Sequence, residues 1–162
     1  MEETIAMDSK GFKKLCKDVL KKYGFKRRND NTFYLTGDKN ILCNVYLQYG
    51  IYGPYYYIEC DFYLIDRHQN PVRSKENPEG HSDRMRIMSR GNNTYKGEHF
   101  MTDAIHYGEY SAEELTERLE DYLRTVAIPP VIEGIDYMKK KERERPGDGG
   151  VYYGLFQRQS FS

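Results

Sequence analysis

Residues 41–65 read ILCNVYLQYGIYGPYYYIECDFYLI, two runs of alternating side chains separated by the turn-forming GIYG. In the first run Ile41, Cys43, Val45 and Leu47 share one side, and Asn44, Tyr46 and Gln48 share the other. In the second run the parity reverses. Ile58, Cys60, Phe62 and Leu64 lie together, opposite Tyr57, Glu59, Asp61 and Tyr63. A period of two marks strands that bury one face. Facing residues of an antiparallel pair lie on the same side of the sheet, and a slip of one residue would turn an apolar set to water. The register that keeps both apolar sets together pairs Val45 with Ile58, Cys43 with Cys60, Tyr46 with Tyr57 and Asn44 with Glu59. It leaves residues 50–53 as the loop, an ordinary hairpin length.

Working outward, NTFYLT (31–36) is a further strand, with Phe33 and Leu35 on one side and Thr32, Tyr34 and Thr36 on the other. GDKN (37–40) supplies the turn. Ahead of it, DSKGFKKLCKDVLKKYGF (8–25) places Phe12, Leu15, Cys16, Val19, Leu20 and Tyr23 at helical spacing. Asp8 or Ser9 caps the start. Gly24 ends the helix in a left-handed conformation, and Phe25 folds back on it.

Beyond the hairpin, DRHQNPVRSKENPEGHSD (66–83) reads as a long loop. RMRIMSR (84–90) is a candidate fourth strand, with Met85 and Ile87 inward and Arg84 and Arg86 outward. In SAEELTERLEDYLRTVAIPP (111–130), Ser111 and Glu114 form a capping box. Leu115, Leu119, Tyr122, Leu123 and Val126 make the inward stripe, and Pro129 and Pro130 break the helix. A shorter helix follows, with Pro130 in its first turn and Val131, Ile132, Ile135 and Met138 inward.

This order implies an α+β fold with the N-terminal helix first. We expect an antiparallel sheet of three to five strands, with helices packed on one face and the other face open. Residues 1–146 are expected to form a single domain. Residues 147–162 are a glycine-rich linker and an aromatic tail, VYYGLFQRQSFS, whose apolar rings are expected to dock on the domain or on a second copy, giving a homodimer.

The totals constrain function. Basic and acidic residues balance at 25 each, so no global field draws the chain to nucleic acid or to a membrane. No apolar run reaches the ~20 residues of a membrane span, and the first residues lack the pattern of a secretion signal. Three scattered cysteines do not form a disulfide framework. A cytoplasmic protein with reduced thiols is the expectation.

LKKYGFKRRNDNTFYL (20–35), then LQYGIYGPYYYIECDFYL (47–64), then the capped helix running into IPPVIEGIDYM (128–138), resemble a bacterial family catalogued as domain of unknown function 4304. The likeness covers residues 9–140, and its most specific part is Gly24-Phe25 followed by Thr32-Phe33-Tyr34. The family brings no catalytic residues to carry over. It resembles small domains found beside bacterial toxin systems, which implies an immunity-type role.

The candidate chemistry is sparse. Cys16, Cys43 and Cys60 fall on inward faces and lack zinc-ligand spacing, so core packing is expected. His68, His81, His99 and His106 show no metal-binding pattern. No cofactor or metal is expected. Nine Lys or Arg between Lys10 and Arg28 face away from the helix's apolar stripe, with Asp18 the one acid among them, and read as a solvated surface.

There remains the polar side of the sheet. Tyr34, Asn44, Tyr46, Gln48, Tyr57, Glu59, Asp61 and Tyr63 would tile it as a binding surface. Tyrosine gives contact area at low entropic cost, and the carboxylates favour a basic partner. The expected function is protein binding through this face. The alternatives are a hydrolase or nuclease using Glu59 and Asp61, and nucleic-acid binding, which the two acids disfavour.

Overall fold

Helix α1 (Ser9–Lys22) begins and ends where its caps dictate. The Asp8 side chain accepts a 2.7 Å hydrogen bond from the Gly11 N–H. At the other end Gly24 has φ 91°. Gly24 N–H bonds to Lys21 O and Phe25 N–H to Leu20 O, both at 3.0 Å, which consumes two orphan carbonyls. Phe12, Cys16, Val19 and Leu20 form the buried stripe.

The structure is a computed structural model that describes residues 7–73, 75, 80–82, 84–87, 93–95, 98–100, 104–144 and 155. The fold is α+β, with an open antiparallel sheet. The strands are β1 (Lys26–Asn29), β2 (Thr32–Thr36), β3 (Ile41–Tyr49), β4 (Tyr56–Leu64), β5 (Met85–Arg86), β6 (Asn93–Tyr95), β7 (Glu98–Phe100) and β8 (Ala104–Ile105). The main sheet runs β1-β2-β3-β4-β5, and β8 also pairs with β4. β6 and β7 make a separate antiparallel pair. The aromatic tail lies outside the described residues apart from Leu155, and so does the linker before it.

β1 is absent from the pattern in the sequence. All four of its residues, KRRN, are exposed. Charge on a short edge strand discourages pairing with other chains. The turn after it is tied by Asn29, whose side chain accepts from Asn31 N–H at 2.9 Å.

The chain condenses into two compact units, each drawn from three stretches of sequence. The first holds Met1–Phe33, Tyr46–Glu59 and Arg86–Leu123. Its helix α2 (Ala112–Tyr122) carries the predicted capping box, with Glu114 N–H bonded to Ser111 Oγ at 3.1 Å. α2 buries Leu115, Leu119 and Tyr122. Its Glu120 accepts from Lys22 Nζ at 3.1 Å and from Tyr23 OH at 2.5 Å, which ties it to the end of α1. In this unit β8 pairs Ile105 with Tyr56 and Ala104 with Tyr57, and Ile87 N–H bonds to Ile58 O at 2.8 Å.

The second unit holds Tyr34–Val45, Cys60–Met85 and Arg124–Ser162. Ile41, Cys43, Val45, Cys60, Phe62, Val131 and Met138 are buried in it. Ser82 N–H bonds to Phe62 O and Val72 N–H to Leu64 O, each at 2.8 Å. The shorter helix expected after the prolines is two helices, α3 (Pro129–Glu133) and α4 (Ile135–Glu144). Gly134 separates them at φ 83°, a conformation that stops a right-handed helix. The break leaves Ile132 exposed, where an inward position was expected. Among the described residues no helix is long and apolar enough to cross a membrane.

Candidate functional site

The polar side of β4 differs from the expected open face. Glu59 retains 2% of its surface and Asp61 none, and Asn44 of β3 is buried as well. Tyr34, Tyr46, Tyr57 and Tyr63 are half-buried, and Gln48 is exposed. The sheet face is therefore covered where the acids lie. A buried carboxylate requires a partner, because stripping its water costs several kcal/mol.

Arginines alternating along the candidate fourth strand supply the partners. In the first unit Arg86 Nε donates to Glu59 Oε2 at 3.1 Å. Its guanidinium also lies 4.1 Å above the centre of the Tyr57 ring, which favours a cation. In the second unit Arg84 Nε lies 3.7 Å and His81 Nδ1 3.9 Å from Asp61 Oδ2. His81 Nδ1 sits 2.7 Å from Ser82 O. A carbonyl only accepts, so this nitrogen carries the proton. The His81 ring meets Tyr63 edge-on at 5.8 Å, and Phe62 N–H bonds to Ser82 Oγ at 2.9 Å.

Chemically, these contacts neutralise acids and fasten His81, Ser82, Arg84 and Arg86 to β4. They do not present carboxylates to a surface. The signal was present in the sequence as R-x-R matching E-x-D, but the pairing lies across 23 to 27 residues of chain. Among the described residues no three His, Cys, Asp or Glu side chains gather as a metal site.

The thiols pack in the core. Cys16, Cys43 and Cys60 are free and buried, and Cys43 Sγ donates to Asn44 O at 3.7 Å. Cys43 and Cys60 are not directly opposite as expected: the bonds Gly50 N–H to Tyr55 O and Ile65 N–H to Asn40 O set a register two residues away, which faces Cys43 with Phe62 and Val45 with Cys60 and keeps both apolar sets on one side. Burial pushes the Cys16 thiol far up. Burial first, and then Cys60, raises Cys43.

The feature the sequence did not single out is the tip of the β3–β4 hairpin. β3 stops at Tyr49 and β4 restarts at Tyr56. Gly50 N–H closes the loop onto Tyr55 O at 2.8 Å, and Tyr55 N–H bonds to Gly53 O at 2.9 Å. The Tyr55 ring lies over Gly50, where a Cβ would stand only 2.1 Å from it. It also meets Tyr57 edge-on, with His106 at the same 5.3 Å distance.

Below the loop, Tyr49 packs edge-on against Tyr56 at 5.3 Å, and Tyr56 stacks on Phe12 at 4.7 Å. Tyr107 completes the cluster at 5.8 Å from Tyr56, and the Tyr56 hydroxyl shares a 2.7 Å hydrogen bond with Ser9 Oγ. Burial, with Tyr49 and Tyr56 beside it, raises the pKa of the Tyr107 hydroxyl. On this footing Ile51 and Tyr52 each keep 85% of their surface in water. An apolar pair inside a turn sequence was the available signal.

An α+β domain with arginine-capped acids and a braced apolar hairpin tip is what the fold and its surfaces define. The family profile of domain of unknown function DUF4304 matches residues 16–128, and the chain belongs to that family. No curated protein and no solved structure matches it.

Proposed function

We propose that this domain is a protein-binding module whose contact point is the hairpin tip. The observation that carries the reading is the pair Ile51 and Tyr52, each 85% exposed on a loop closed at both ends and floored by aromatic rings. Single exposed apolar residues are ordinary on protein surfaces. Two adjacent ones held in place differ, because a preformed anchor loses little entropy on binding. Tyrosine is also enriched among residues that dominate interface energies.

The polar sheet face is not the route for a basic partner, since Glu59 and Asp61 are buried beneath residues of this chain. Three reduced, buried thiols suit a reducing compartment, so a cytoplasmic setting belongs to the same proposal.

The test is a photoreactive benzophenone residue in place of Tyr52, followed by titration of the purified partner. Cross-linking to one polypeptide, with affinity reduced at least about tenfold in Ile51→Ser/Tyr52→Ser at unchanged melting temperature, is the expected result. Equal affinity of the wild type and the folded variant would remove the tip from the interface.

A further inference from the structure

A second surface, independent of the hairpin tip, lies along the outside of α1. Lys10, Lys13, Lys17 and Lys21 recur every three or four residues, so one row of ammonium groups runs the length of the helix. From the first to the last is about 16 Å at 1.5 Å per residue. None of the four has a hydrogen bond or an ion pair to a described residue. The lysines beside the row are engaged: Lys14 bonds to Asp18 at 2.8 Å and Lys22 to Glu120 at 3.1 Å. The row acts on its neighbour, since Asp18 is held below the usual carboxylate range, first by its bond to Lys14 and also by the charges of Lys14, Lys17 and Lys21.

The width of the row selects its ligand. Asp18, bonded to Lys14, bounds the positive surface on one flank, and the buried stripe with Leu20 and Cys16 bounds it on the other, which leaves a single helical row. A nucleic-acid duplex, with a charge every ~1.7 Å along its axis, would overhang the row and bring phosphate against Asp18. α1 carries no aromatic ring on this face for a base to stack on. A membrane is equally ill-suited, because the apolar stripe an interfacial helix would insert is spent on the protein's own core: Phe12, Cys16, Val19 and Leu20 are buried. A peptide helix is about 10 Å wide and repeats its side chains at the same three- and four-residue spacing.

We propose that the row Lys10, Lys13, Lys17 and Lys21 is a docking surface for an acidic helix of a partner protein, one that presents Asp or Glu at three- and four-residue intervals along one face. The protein has no net charge, so this attraction is local. It sets orientation and association rate more than total affinity.

The probe is a synthetic acidic helix about 16 residues long with glutamates on one face. Comparison ligands are a peptide of the same composition with glutamates spread around the helix, an oligothymidylate, and phosphatidylserine vesicles. Fluorescence anisotropy or vesicle co-sedimentation is read at about 20 mM and about 150 mM salt. The one-faced peptide is expected to bind at least about tenfold tighter than the scattered one at low salt, and to weaken as salt rises. The quadruple Lys→Glu variant, and a Lys→Gln version that guards against loss of folding, should lose that preference. Ile51→Ser/Tyr52→Ser should retain it, which separates this surface from the hairpin tip. Equal binding of the two peptides, tighter binding of the oligonucleotide or the vesicles, or an unaffected lysine variant would each overturn the proposal.

Discussion

The Tyr55 ring occupies the space in which a side chain on Gly50 would begin, 2.1 Å from the nearest ring carbon. Any residue but glycine at 50 must push that ring off His106 and Tyr57. Gly50→Ala is therefore expected to cost about 1–3 kcal/mol, the range for overpacking a filled site, and to free Ile51 and Tyr52 from their footing. Gly108→Ala, where the nearest atom is 4.0 Å away, should be close to neutral. Equal denaturation midpoints for the two variants would show that the ring does not brace the loop.

The capped acids make a second expectation. Removing Arg86 leaves Glu59 buried without its guanidinium. A fully buried broken pair costs about 3–5 kcal/mol, but Arg86 is 38% exposed, so about 1–3 kcal/mol is expected for Arg86→Ala after solvent screening. Adding Glu59→Gln should recover part of that loss, because an amide tolerates burial better than an unpaired carboxylate. Urea denaturation of both single variants and the double gives the coupling. An Arg86→Ala protein as stable as wild type would show that water already compensates Glu59.

For the thiols the pH dependence has a definite sign. Burial raises Cys16 and Cys43 above the ordinary thiol range, so the folded chain holds protons that the unfolded chain releases. Their contribution is complete below the unfolded thiol pKa near ~8.5 and is lost as pH rises beyond it, at up to about 1.4 kcal/mol per pH unit for each thiol. Denaturation midpoints should fall between about pH 8 and pH 9.5. Cys16→Ala should lessen the slope by one thiol's share. In the folded protein, thiol reagents should label slowly until denaturant is added. Rapid labelling of Cys16, Cys43 and Cys60 in the native state would contradict the burial.

Much of this architecture is legible in the sequence, and the misses share a cause. α1 was bounded correctly because Asp8 and Gly24 act within one turn of the helix they cap. The two faces of the β3–β4 hairpin were placed by parity, which needs only neighbouring residues, but its register is two residues from the expected one, because parity fixes only that paired numbers sum to an odd value and the closing pair is Gly50 with Tyr55. β1 escaped because KRRN has no apolar residue to alternate, so only its pairing makes it a strand. The covered acid face escaped because Arg84 and Arg86 meet Asp61 and Glu59 through a long stretch of chain that no local rule spans. Ile51 and Tyr52 were read as turn filler, since turn chemistry dictates backbone and leaves the outward side chains undetermined.

Gly134 carries the last expectation. At φ 83° an L-residue pays a steric penalty of roughly 1–2 kcal/mol, and a new Cβ would also press on Lys39 at 3.2 Å. Gly134→Ala should lose about that much stability, and Gly134→Asn less, because asparagine enters positive φ more readily. A gain in stability and helix content by circular dichroism for the alanine variant would mean that α3 and α4 fuse without harm.

Along β4, successive residues find their outer partners in short, separate pieces of chain: Ala104–Ile105, the stretch that runs from Ser82 through β5 to Ile87, and Val72. A continuous neighbouring strand would fix the spacing of all its residues at once. Separate pieces do not, because the chain between two of them can lengthen without moving either contact. Doubling such a connection costs only about 0.6 kcal/mol in closure entropy. Length variation within this family is therefore expected to collect between residues 73 and 80 and between residues 88 and 103, while β3 and β4 keep their length, and new segments can be grafted there without re-registering the hairpin.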